Sequence, residues 1–327
     1  MRIFSGIQPT GRKHIGNYIG AIVQYVAGQD RGEAIYCIVD LHALTVDWGP
    51  EELRERTYDT MAILLAAGLD PARCILFRQS DVAEQSELAW ILGCLTSYGD
   101  LGRMTQFKDK APKQRELVSA GLFFYPTLMA ADVLAYRANE VPVGDDQRQH
   151  LELMRDIAIR FNARFGEILV VPEARIPEIG ARIMDLQDPT SKMSTTAAEE
   201  GTLYVLDEPA VVERKLKRAV TDSGEGIVCS SEKPGITNLI TVLAVVRGVA
   251  PAEIERDFAN ARYGDFKAAL ATEVVEYLAP VRERYGELRA DQHGLEAILA
   301  NGAAQAREIA SGVLDDVRRA IGVGPNG

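Results

Sequence analysis

The sequence is short of positive charge. Its 36 lysines and arginines stand against 47 aspartates and glutamates, which gives a formal net charge of −11 at pH 7. A chain with this balance does not bind nucleic acid through the electrostatic field of its whole surface. Any contact with RNA must therefore use local basic patches, and no DNA partner is expected.

Cysteine is scarce, and long apolar runs are missing. The four cysteines, Cys37, Cys74, Cys94 and Cys229, are far apart and lie mostly in apolar strings. This favours buried thiols in a reducing cytosol over a disulfide framework or a zinc site. Neither a stretch of about 18 apolar residues nor an apolar signal segment at residues 2–6 occurs, so we expect a cytoplasmic protein without membrane contact.

What the sequence does contain is an alternation of strand-like and helical segments. Short β-prone runs at Ile3-Phe4, residues 34–39 and residues 74–77 alternate with helical patterns that begin at Ile15 and Pro50. This alternation predicts an α/β fold with a parallel sheet that is wrapped by helices.

The middle of the chain predicts the wall of a pocket. It consists of an apolar helix over residues 120–138 that is interrupted at Pro126, a short extended piece at 140–144, and an amphipathic helix from Asp146 to about Phe165. The strand-like residues 168–171 and the segment at residues 182–186 then return the chain toward the sheet.

Two domains are expected in 327 residues of which 47% are hydrophobic. Beyond Thr196 the strand alternation ends, and helical segments with basic clusters such as residues 214–218 follow. We therefore predict a sheet domain at residues 1–196 and a helical domain at residues 197–327. A basic run on a helix either tracks phosphates or forms a solvated face, and the sequence alone favours the solvated face.

The segment from Gln8 to Asn17 lies between the first predicted strand and the first predicted helix. In such folds the crevice at this point binds nucleotides, because helix N-terminal amides favour phosphate. His14 can donate to phosphate oxygens, Gly16 leaves room for a flat base or ribose, and Asn17 adds a neutral donor. The alternative is an ordinary strand-to-helix turn with a solvated histidine.

A second polar segment, residues 188–196, contains the single cation Lys192, and by itself it could be an ordinary surface loop. Taken together, the two segments resemble the HIGH and KMSKS signatures of class I aminoacyl-tRNA synthetases. The resemblance extends to the tryptophanyl-tRNA synthetase family, bacterial type, through residues 4–9, 16–20, 103–108, 129–132, 141–147 and 219–223.

The resemblance implies a Rossmann-like doubly wound parallel sheet as the catalytic domain and a helical C-terminal domain. It also implies that ATP enters as a substrate with Mg²⁺, without a permanently bound metal. Gln8, His14 and Lys192 are expected to act in catalysis. The residues expected to bind ATP are Gln8, Pro9, Thr10, Gly16, Asn17, Gly144, Asp145, Asp146, Ile183, Lys192, Met193, Ser194, Thr195 and Thr196, with Lys110 as a further phosphate contact.

One departure from the family pattern concerns charge. Thr195 stands where the family usually has a second lysine, and a lost charged contact to a phosphate is worth roughly 1.5–3 kcal/mol. Arg12, Lys13 or Lys110 are candidates to replace that charge. Asn17 stands in place of the final histidine of the HIGH signature, as is common in this family.

Asp132 is the candidate for selecting the amino acid. It lies among apolar neighbours, where a carboxylate requires a hydrogen-bond donor. Capping or exposure on the polar side of a helix is the structural alternative, but the resemblance assigns Asp132 as the acceptor for the indole N–H. Its predicted neighbours around tryptophan are Phe4, Ile7, Met129, Val141 and Val143 for the ring and Tyr125 and Gln147 for the ammonium group.

The function implied is tryptophan–tRNA ligation, with L-tryptophan, ATP and tRNA(Trp) as partners. In the family the helical region reads the anticodon, and the acceptor end often enters the other subunit's site, which implies a homodimer. Two alternatives stay open. One is a tyrosyl-tRNA synthetase, which shares the class I signatures. The other is a synthetase paralogue that no longer charges tRNA and has an RNA-binding or regulatory role.

Overall fold

The computed structural model describes residues 1–110, 118–144, 147–175, 182–194 and 198–324, and it describes only the backbone of Asp109 and Lys110. Asp145, Asp146, Thr195 and Thr196 lie outside the described residues, as does the side chain of Lys110. The contacts to ATP expected of these five residues stay predictions.

The chain folds into two compact units, each made of segments that are distant in sequence. The first comprises Met1–Thr10, Tyr25–Glu178 and Asp291–Gly327, and the second comprises Gly11–Gln24 and Ile179–Ala290. These units divide the chain differently from the predicted boundary after residue 196. The C-terminal segment belongs to the first unit, and the segment with His14 belongs to the second.

A five-stranded parallel sheet forms the centre of the first unit. The strands are β1 (Arg2–Ile7), β2 (Glu33–Ile38), β3 (Cys74–Arg78), β4 (Glu140–Pro142) and β5 (Glu173–Arg175). Their order is β3-β2-β1-β4-β5, and every neighbouring pair is parallel. This is the order of a Rossmann-like doubly wound sheet, in which the direction of winding reverses between β1 and β4. The predicted α/β class is confirmed.

Strands β2 and β3 are nearly continuous apolar runs. In β2 every residue after Glu33 is buried, as expected for a parallel strand that is covered on both faces. Phe4 of β1 lies beside Ile35 of β2, which lies beside Ile75 of β3. All three side chains belong to one buried apolar cluster.

Helices surround this sheet and make up most of the second unit. They are α1 (Ile15–Asn17), a π-helical segment (Tyr18–Ile22), α2 (Val23–Gly28), α3 (Asp40–Ala43), α4 (Pro50–Ala66), α5 (Glu84–Gly93), α6 (Tyr98–Arg103), α7 (Thr105–Lys110), α8 (Ala120–Leu134), α9 (Arg148–Phe165), α10 (Pro209–Arg218), α11 (Pro234–Arg247), α12 (Pro251–Asp257), α13 (Tyr263–Ala290) and α14 (Gln292–Ile321).

Sequence signals account for several helix starts. Helix α4 begins at Pro50 with Glu51 and Glu52 in its first turn, as predicted, because proline tolerates that position and carboxylates favour the positive end of the helix. Helix α8 begins after Ser119, whose hydroxyl oxygen accepts from the N–H of Leu122 at 3.1 Å. The predicted apolar helix is confirmed, with Pro126 inside it.

The predicted strand at residues 168–171 is wrong. The side-chain oxygen of Asn162 accepts from the backbone N–H groups of Ile168 and Leu169, and its amide nitrogen donates to Leu169 O. These backbone groups are therefore occupied by a side chain rather than by a neighbouring strand. The strand forms later, at Glu173–Arg175, where it pairs with β4.

Residues 182–186 do not join the sheet either. Met184 forms an isolated antiparallel bridge with Lys192 in the second unit. The side chain of Asn238 holds this turn on its other side, because it accepts from Met184 N and donates to Met184 O, both at 2.9 Å.

The four cysteines are free thiols, of which Cys37 and Cys74 are buried and Cys94 and Cys229 are exposed. The prediction of buried thiols therefore holds for half of them. Among the described residues, no single helix has the length and apolar character of a membrane span. Only Pro234–Arg247 and Pro251–Asp257 taken together meet those criteria, and they are bent by 103° at the break between them.

Candidate active site

Several predicted ligand contacts lie where β1 and β4 end, at the point where the winding of the sheet reverses. Gln8, Pro9 and Thr10 follow β1, and Val143 and Gly144 follow β4. Strands β1 and β4 are parallel neighbours, so their carboxyl ends open on the same edge of the sheet. Ligands of open α/β sheets bind at this edge, where the winding reverses.

Helix α8 carries three of the residues that are predicted to contact tryptophan. Tyr125, Met129 and Asp132 are spaced four and three residues apart, which places them on one face of the helix. Asp132 is 2% exposed, whereas Tyr125 and Met129 are half-buried. Met129 packs against the buried cluster that also contains Phe4 and Val141.

The residues predicted to surround the tryptophan ring are partly core residues and partly half-buried ones. Phe4 is stacked on Tyr136, with ring centroids 5.4 Å apart and an interplanar angle of 8°. Phe4 and Val141 are each 2% exposed and belong to the core, while Val143 packs against it from a half-buried position. Ile7 is half-buried.

The carboxylate of Asp132 has the donors that its burial requires. One oxygen, Oδ1, accepts from Gln79 Nε2 at 2.6 Å and from Gln85 Nε2 at 2.9 Å. The other, Oδ2, lies 2.7 Å from His42 Nε2. Gln79 and Gln85 are fully buried, and His42 is 5% exposed. Asp132 is therefore neither a helix cap nor a solvent-exposed residue.

The direction of these hydrogen bonds follows from Gln79. Its amide oxygen accepts from Leu41 N at 3.1 Å, so its NH₂ group is the part that faces Asp132. Asp132 Oδ1 thus accepts two hydrogen bonds, the usual number for a carboxylate oxygen. With His42 donating, Oδ2 accepts one protein hydrogen bond and has capacity for a second.

Sequence reasoning missed all three partners of Asp132. They lie 90, 53 and 47 residues away along the chain, and each has an ordinary local pattern. A signal was available for two of them. His42 comes shortly after β2, and Gln79 comes directly after β3, so both follow strands whose carboxyl ends share one edge of the sheet.

Tyr125 has a partner that the sequence did not indicate. Its hydroxyl lies 2.7 Å from His150 Nε2, and the two rings are 5.4 Å apart. Burial raises the pKa of Tyr125 to about 12, so the phenol stays protonated at neutral pH. Gln147 directly precedes α9 in a half-buried position, and its backbone N–H donates to Gly144 O.

His14, which is predicted to act on ATP, lies in the second unit and caps helix α1. His14 Nδ1 accepts from Asn17 N at 3.3 Å, and Asn17 Oδ1 accepts from His14 N at 3.2 Å. This reciprocal pair is a capping box made by the histidine itself. A π-helical segment follows at Tyr18–Ile22, a feature that is frequent at functional sites.

His14 is neutral at physiological pH. Burial, together with the positive charges of Lys192 and Lys13, lowers the pKa of His14 to about 4. Because Nδ1 accepts from Asn17, the ring proton resides on Nε2. The donation to phosphate expected of His14 stays a prediction, and the N–H that this ring has to offer is that of a neutral imidazole at Nε2.

Gly16 and Ile183 flank the histidine ring. A Cβ at Gly16 would lie 3.0 Å from His14 ring atoms and 3.7 Å from Ile183 Cβ, so a larger residue would press on both. Ile183 is 3% exposed, and its carbonyl accepts from Met193 N at 3.0 Å. The structure therefore brings His14, Gly16, Ile183 and Met193 together.

The segment with Lys192 is fixed by hydrogen bonds on both sides of the lysine. Asp188 accepts from the hydroxyls of Thr190 and Ser191, both at 2.6 Å. Ser194 O accepts from Thr202 Oγ1 at 3.0 Å. Met193 is buried, Ser194 is half-buried and Lys192 is exposed.

Arg12 is already engaged by carboxylates. Its guanidinium lies 2.7 Å from Asp207 and 3.2 Å from Glu199, and its Cζ lies 3.9 Å from the centroid of the Tyr204 ring. The idea that Arg12 replaces the missing second lysine is therefore disfavoured. Lys13 is 6% exposed and close enough to His14 to lower its pKa.

The basic cluster at residues 214–218 is mostly paired within the second unit. Lys215 is completely buried against Asp207 and Glu199, Arg214 pairs with Glu200, and Lys217 pairs with Glu213. The cluster is therefore not a solvated face throughout. Among the described residues, no group of three or more His, Cys, Asp or Glu side chains has the arrangement of a metal site.

Known proteins are similar to this chain in sequence and in fold over nearly their whole length. The family model described as tRNA synthetases class I (W and Y) matches residues 1–279. Tryptophan–tRNA ligase 2 of Streptomyces avermitilis is 49% identical, with 99% of this chain and 97% of the relative covered.

Solved structures agree. Tryptophanyl-tRNA synthetase from Mycoplasma pneumoniae is 34% identical with a TM-score of 0.90, covering 99% of this chain and 98% of its own. The enzyme from Campylobacter jejuni, solved in complex with ADP and tryptophan, is 35% identical with a TM-score of 0.85, covering 99% of this chain and 100% of its own. The chain belongs to the class I tRNA synthetases (W and Y), among the tryptophan–tRNA ligases.

Proposed function

We propose that the chain is a tryptophan–tRNA ligase. It activates L-tryptophan with ATP to give tryptophanyl-adenylate and pyrophosphate, and it then transfers tryptophan to the 3′ end of tRNA(Trp). Family membership over almost the whole chain supports this reaction, and so does the bound tryptophan and ADP of the Campylobacter jejuni relative.

The observation that carries the choice of amino acid is the hydrogen bonding of Asp132. Oδ1 is saturated by Gln79 and Gln85, while Oδ2 accepts from His42 and has capacity for one more donor. The indole N–H only donates, so it matches this vacancy. Phenylalanine lacks such a donor, and tyrosine presents its hydroxyl in a different place. A substrate without the donor leaves the second acceptor position of this buried oxygen unfilled, which penalises the wrong amino acid.

Activation needs positioning and charge neutralisation rather than covalent help from the protein. The tryptophan carboxylate attacks the α-phosphorus in line, and pyrophosphate leaves with the Mg²⁺ that entered with ATP as part of the substrate. In this proposal Lys192 neutralises the departing pyrophosphate, neutral His14 donates through Nε2–H to phosphate oxygen, and Gln8 contacts ATP after β1. The remaining ATP and tryptophan contacts are those expected from the sequence.

Amino-acid-dependent exchange of pyrophosphate into ATP, measured with all twenty amino acids, tests the activity. The proposal expects exchange with tryptophan alone, followed by charging of tRNA(Trp). Exchange with tyrosine would favour the tyrosyl alternative. Absence of exchange with every amino acid would favour a paralogue that does not charge tRNA.

Two further parts of the proposal concern assembly and tRNA. We propose a homodimer, which is supported by two exposed aromatic side chains in the first unit: Trp90 on α5 is 70% exposed and Tyr98 on α6 is 81% exposed. The Tyr98 ring lies 4.9 Å from Phe123 of α8. The region after residue 197 is proposed to bind the anticodon arm, and the reaction is proposed to take place in the cytoplasm, where tRNA is charged.

A further inference from the structure

Lys215 has surroundings that are unusual for a lysine. It lies on α10 and is 0% exposed. Its Nζ donates to Asp207 Oδ2 at 2.8 Å, to the carbonyl of Thr202 at 2.8 Å and to Glu199 Oε1 at 3.0 Å. All three ammonium hydrogens thus have acceptors, which is the condition for burying a lysine.

The same two carboxylates also hold Arg12. Asp207 Oδ1 accepts from Arg12 Nη2 at 2.7 Å, and Glu199 Oε1 accepts from Arg12 Nη1 at 3.2 Å. The ring of Tyr204 lies against both cations, 3.9 Å from Arg12 Cζ and 4.9 Å from Lys215 Nζ. Two cations and two anions therefore form one closed cluster, which we call the Lys215 cluster: Arg12, Glu199, Tyr204, Asp207 and Lys215.

This cluster joins the segment that contains His14 to the segment that contains Lys192. Arg12 is two residues from His14, and the backbone beside it pairs with the cluster's own segment: Ile15 N donates to Leu203 O, and Val205 N donates to Lys13 O. Thr202, whose carbonyl accepts from Lys215, also donates its hydroxyl to Ser194 O, two residues beyond Lys192.

We propose that Lys215 is a positioning residue for amino-acid activation, which fixes the segment of His14 relative to the segment of Lys192 through Asp207, Glu199 and Thr202. The inference rests on the proposed ligase activity. Lys215 is buried within the second unit, so it acts through the residues that it holds and not by contact with ATP or tRNA. Its removal leaves Asp207 and Glu199 with Arg12 as their remaining cluster cation, and the carbonyl of Thr202 loses its ammonium donor.

Lys215→Met is the test, with Lys217→Met as the matched control on the same helix. Lys217 has a 52% exposed side chain and pairs with Glu213 at 2.9 Å. Misplacement of reacting groups by about 1 Å lowers rates by about 100-fold, so we expect kcat/KM for ATP in pyrophosphate exchange to fall about 30- to 100-fold in Lys215→Met. Lys217→Met should stay within about 2-fold of the wild type.

A second readout separates positioning from general destabilisation. The dissociation constant for tryptophan, measured without ATP by equilibrium dialysis, should stay within about 2-fold in Lys215→Met, because Asp132 and its partners lie in the first unit. Lys215→Arg keeps the charge and should recover part of the lost activity. Equal losses of tryptophan binding and ATP turnover would overturn the inference, as would activity equal to that of Lys217→Met.

If Lys215→Met does not fold, Asp207→Asn makes the same measurement possible, since it keeps the side-chain shape and removes one charge that Lys215 and Arg12 share. It should show the same selective loss for ATP, and unchanged ATP kinetics would overturn the inference. Failure of the proposed function itself is distinguishable, because the wild-type protein would then show no tryptophan-dependent exchange.

Discussion

At the scale of single residues, Asp132 illustrates how a buried charge becomes selective. Three donors surround it, two of them on one oxygen. Because Oδ1 is fully occupied, the remaining acceptor capacity of the carboxylate lies on Oδ2 and points in one direction. In the proposed function the indole N–H uses the remaining capacity of Oδ2, while the amide orientation of Gln79, which Leu41 N fixes, keeps Oδ1 occupied.

Asp132→Asn should lower kcat/KM for tryptophan about 30- to 1000-fold, because leaving a buried donor or acceptor unpaired costs about 2–4 kcal/mol. If the asparagine oxygen accepts from Gln79 and Gln85, its NH₂ group meets the His42 donor and the indole N–H. Steady-state pyrophosphate exchange measures the effect. Asp156→Asn on α9 changes an exposed carboxylate and is the control. Near-normal kinetics of Asp132→Asn would remove Asp132 from its role in specificity.

His14 should make the stability of the protein sensitive to acid. Its pKa is lowered to about 4 in the folded state from an ordinary value of 6.5. The unfolded chain therefore binds a proton more readily between these values, and the stabilisation that is present above pH 6.5 is lost as the pH falls toward 4. Between pH 7.5 and pH 5 this amounts to about 2 kcal/mol.

Urea unfolding of the wild type and of His14→Asn at the two pH values measures this contribution. Asparagine is also a good helix N-cap, so the variant keeps the capping position but not the titrating ring. The free energy of unfolding should fall by about 2 kcal/mol more in the wild type than in the variant on acidification. Parallel losses in both proteins would show that His14 is not the titrating group.

At the scale of elements, local sequence patterns predicted those structures that local patterns determine. Strands β1, β2 and β3 are apolar runs between turn signals, and α4 is marked by Pro50, Glu51 and Glu52. Residues 168–171 are apolar too, yet the Asn162 side chain occupies their backbone groups. One side-chain amide from the preceding helix decided the outcome, and no periodicity carries that information.

The candidate site was predictable to the same extent. His14, Gly16, Ile183 and Met193 were chosen by resemblance, and the structure brings them together. The partners of Asp132 and of Lys215 could not be found in this way, because each contact joins segments that are far apart in sequence. Lys215 in particular belongs to a run of basic residues, and only its burial distinguishes it from its neighbours.

Helix α14 provides an element-scale prediction through one glycine. A Cβ at Gly302 would lie 1.9 Å from the carbonyl oxygen of Leu76 in β3, so the helix backbone lies directly against the strand. Gly302→Ala should lower the free energy of unfolding by about 1–3 kcal/mol or more, because overpacking forces the backbone apart.

Gly312→Ala is the matched control for Gly302→Ala, because it lies on the same helix and a Cβ there meets no atom within 4 Å. Replacing this exposed helical glycine should raise the free energy of unfolding by up to about 1 kcal/mol. Urea denaturation of both variants gives the comparison. Equal effects at the two positions would contradict the close approach of α14 to β3.

At the scale of the whole molecule, charge limits how tRNA can be bound. The chain carries −11 overall, and Arg214, Lys215 and Lys217 of α10 are paired with carboxylates. Lys215 is buried and out of reach of phosphate, and Arg214 and Lys217 would have to exchange a carboxylate partner for a phosphate. The number of counterions released on binding grows with the number of phosphates that the protein neutralises. We expect few such contacts here, so the affinity for tRNA should fall less steeply with salt concentration than that of strongly basic nucleic-acid binders.

The quaternary state can be tested with the two tryptophans of the chain, since both are partly or largely exposed in the first unit. Trp90 is 70% exposed beside α8, and Trp48 is 46% exposed between α3 and α4. Burying an aromatic side chain at an interface contributes strongly to association, and a buried unpaired carboxylate opposes it. Trp90→Glu should therefore dissociate the proposed homodimer, whereas Trp48→Glu should not.

Sedimentation equilibrium distinguishes the outcomes, because the protomer mass is 35.8 kDa and a dimer has twice that value. We expect dimers for the wild type and Trp48→Glu and protomers for Trp90→Glu. Asp132 and its donors lie within one chain, so the protomeric variant should still bind tryptophan. A wild type that sediments as a protomer would refute the homodimer, and a dimeric Trp90→Glu would show that the interface does not include Trp90.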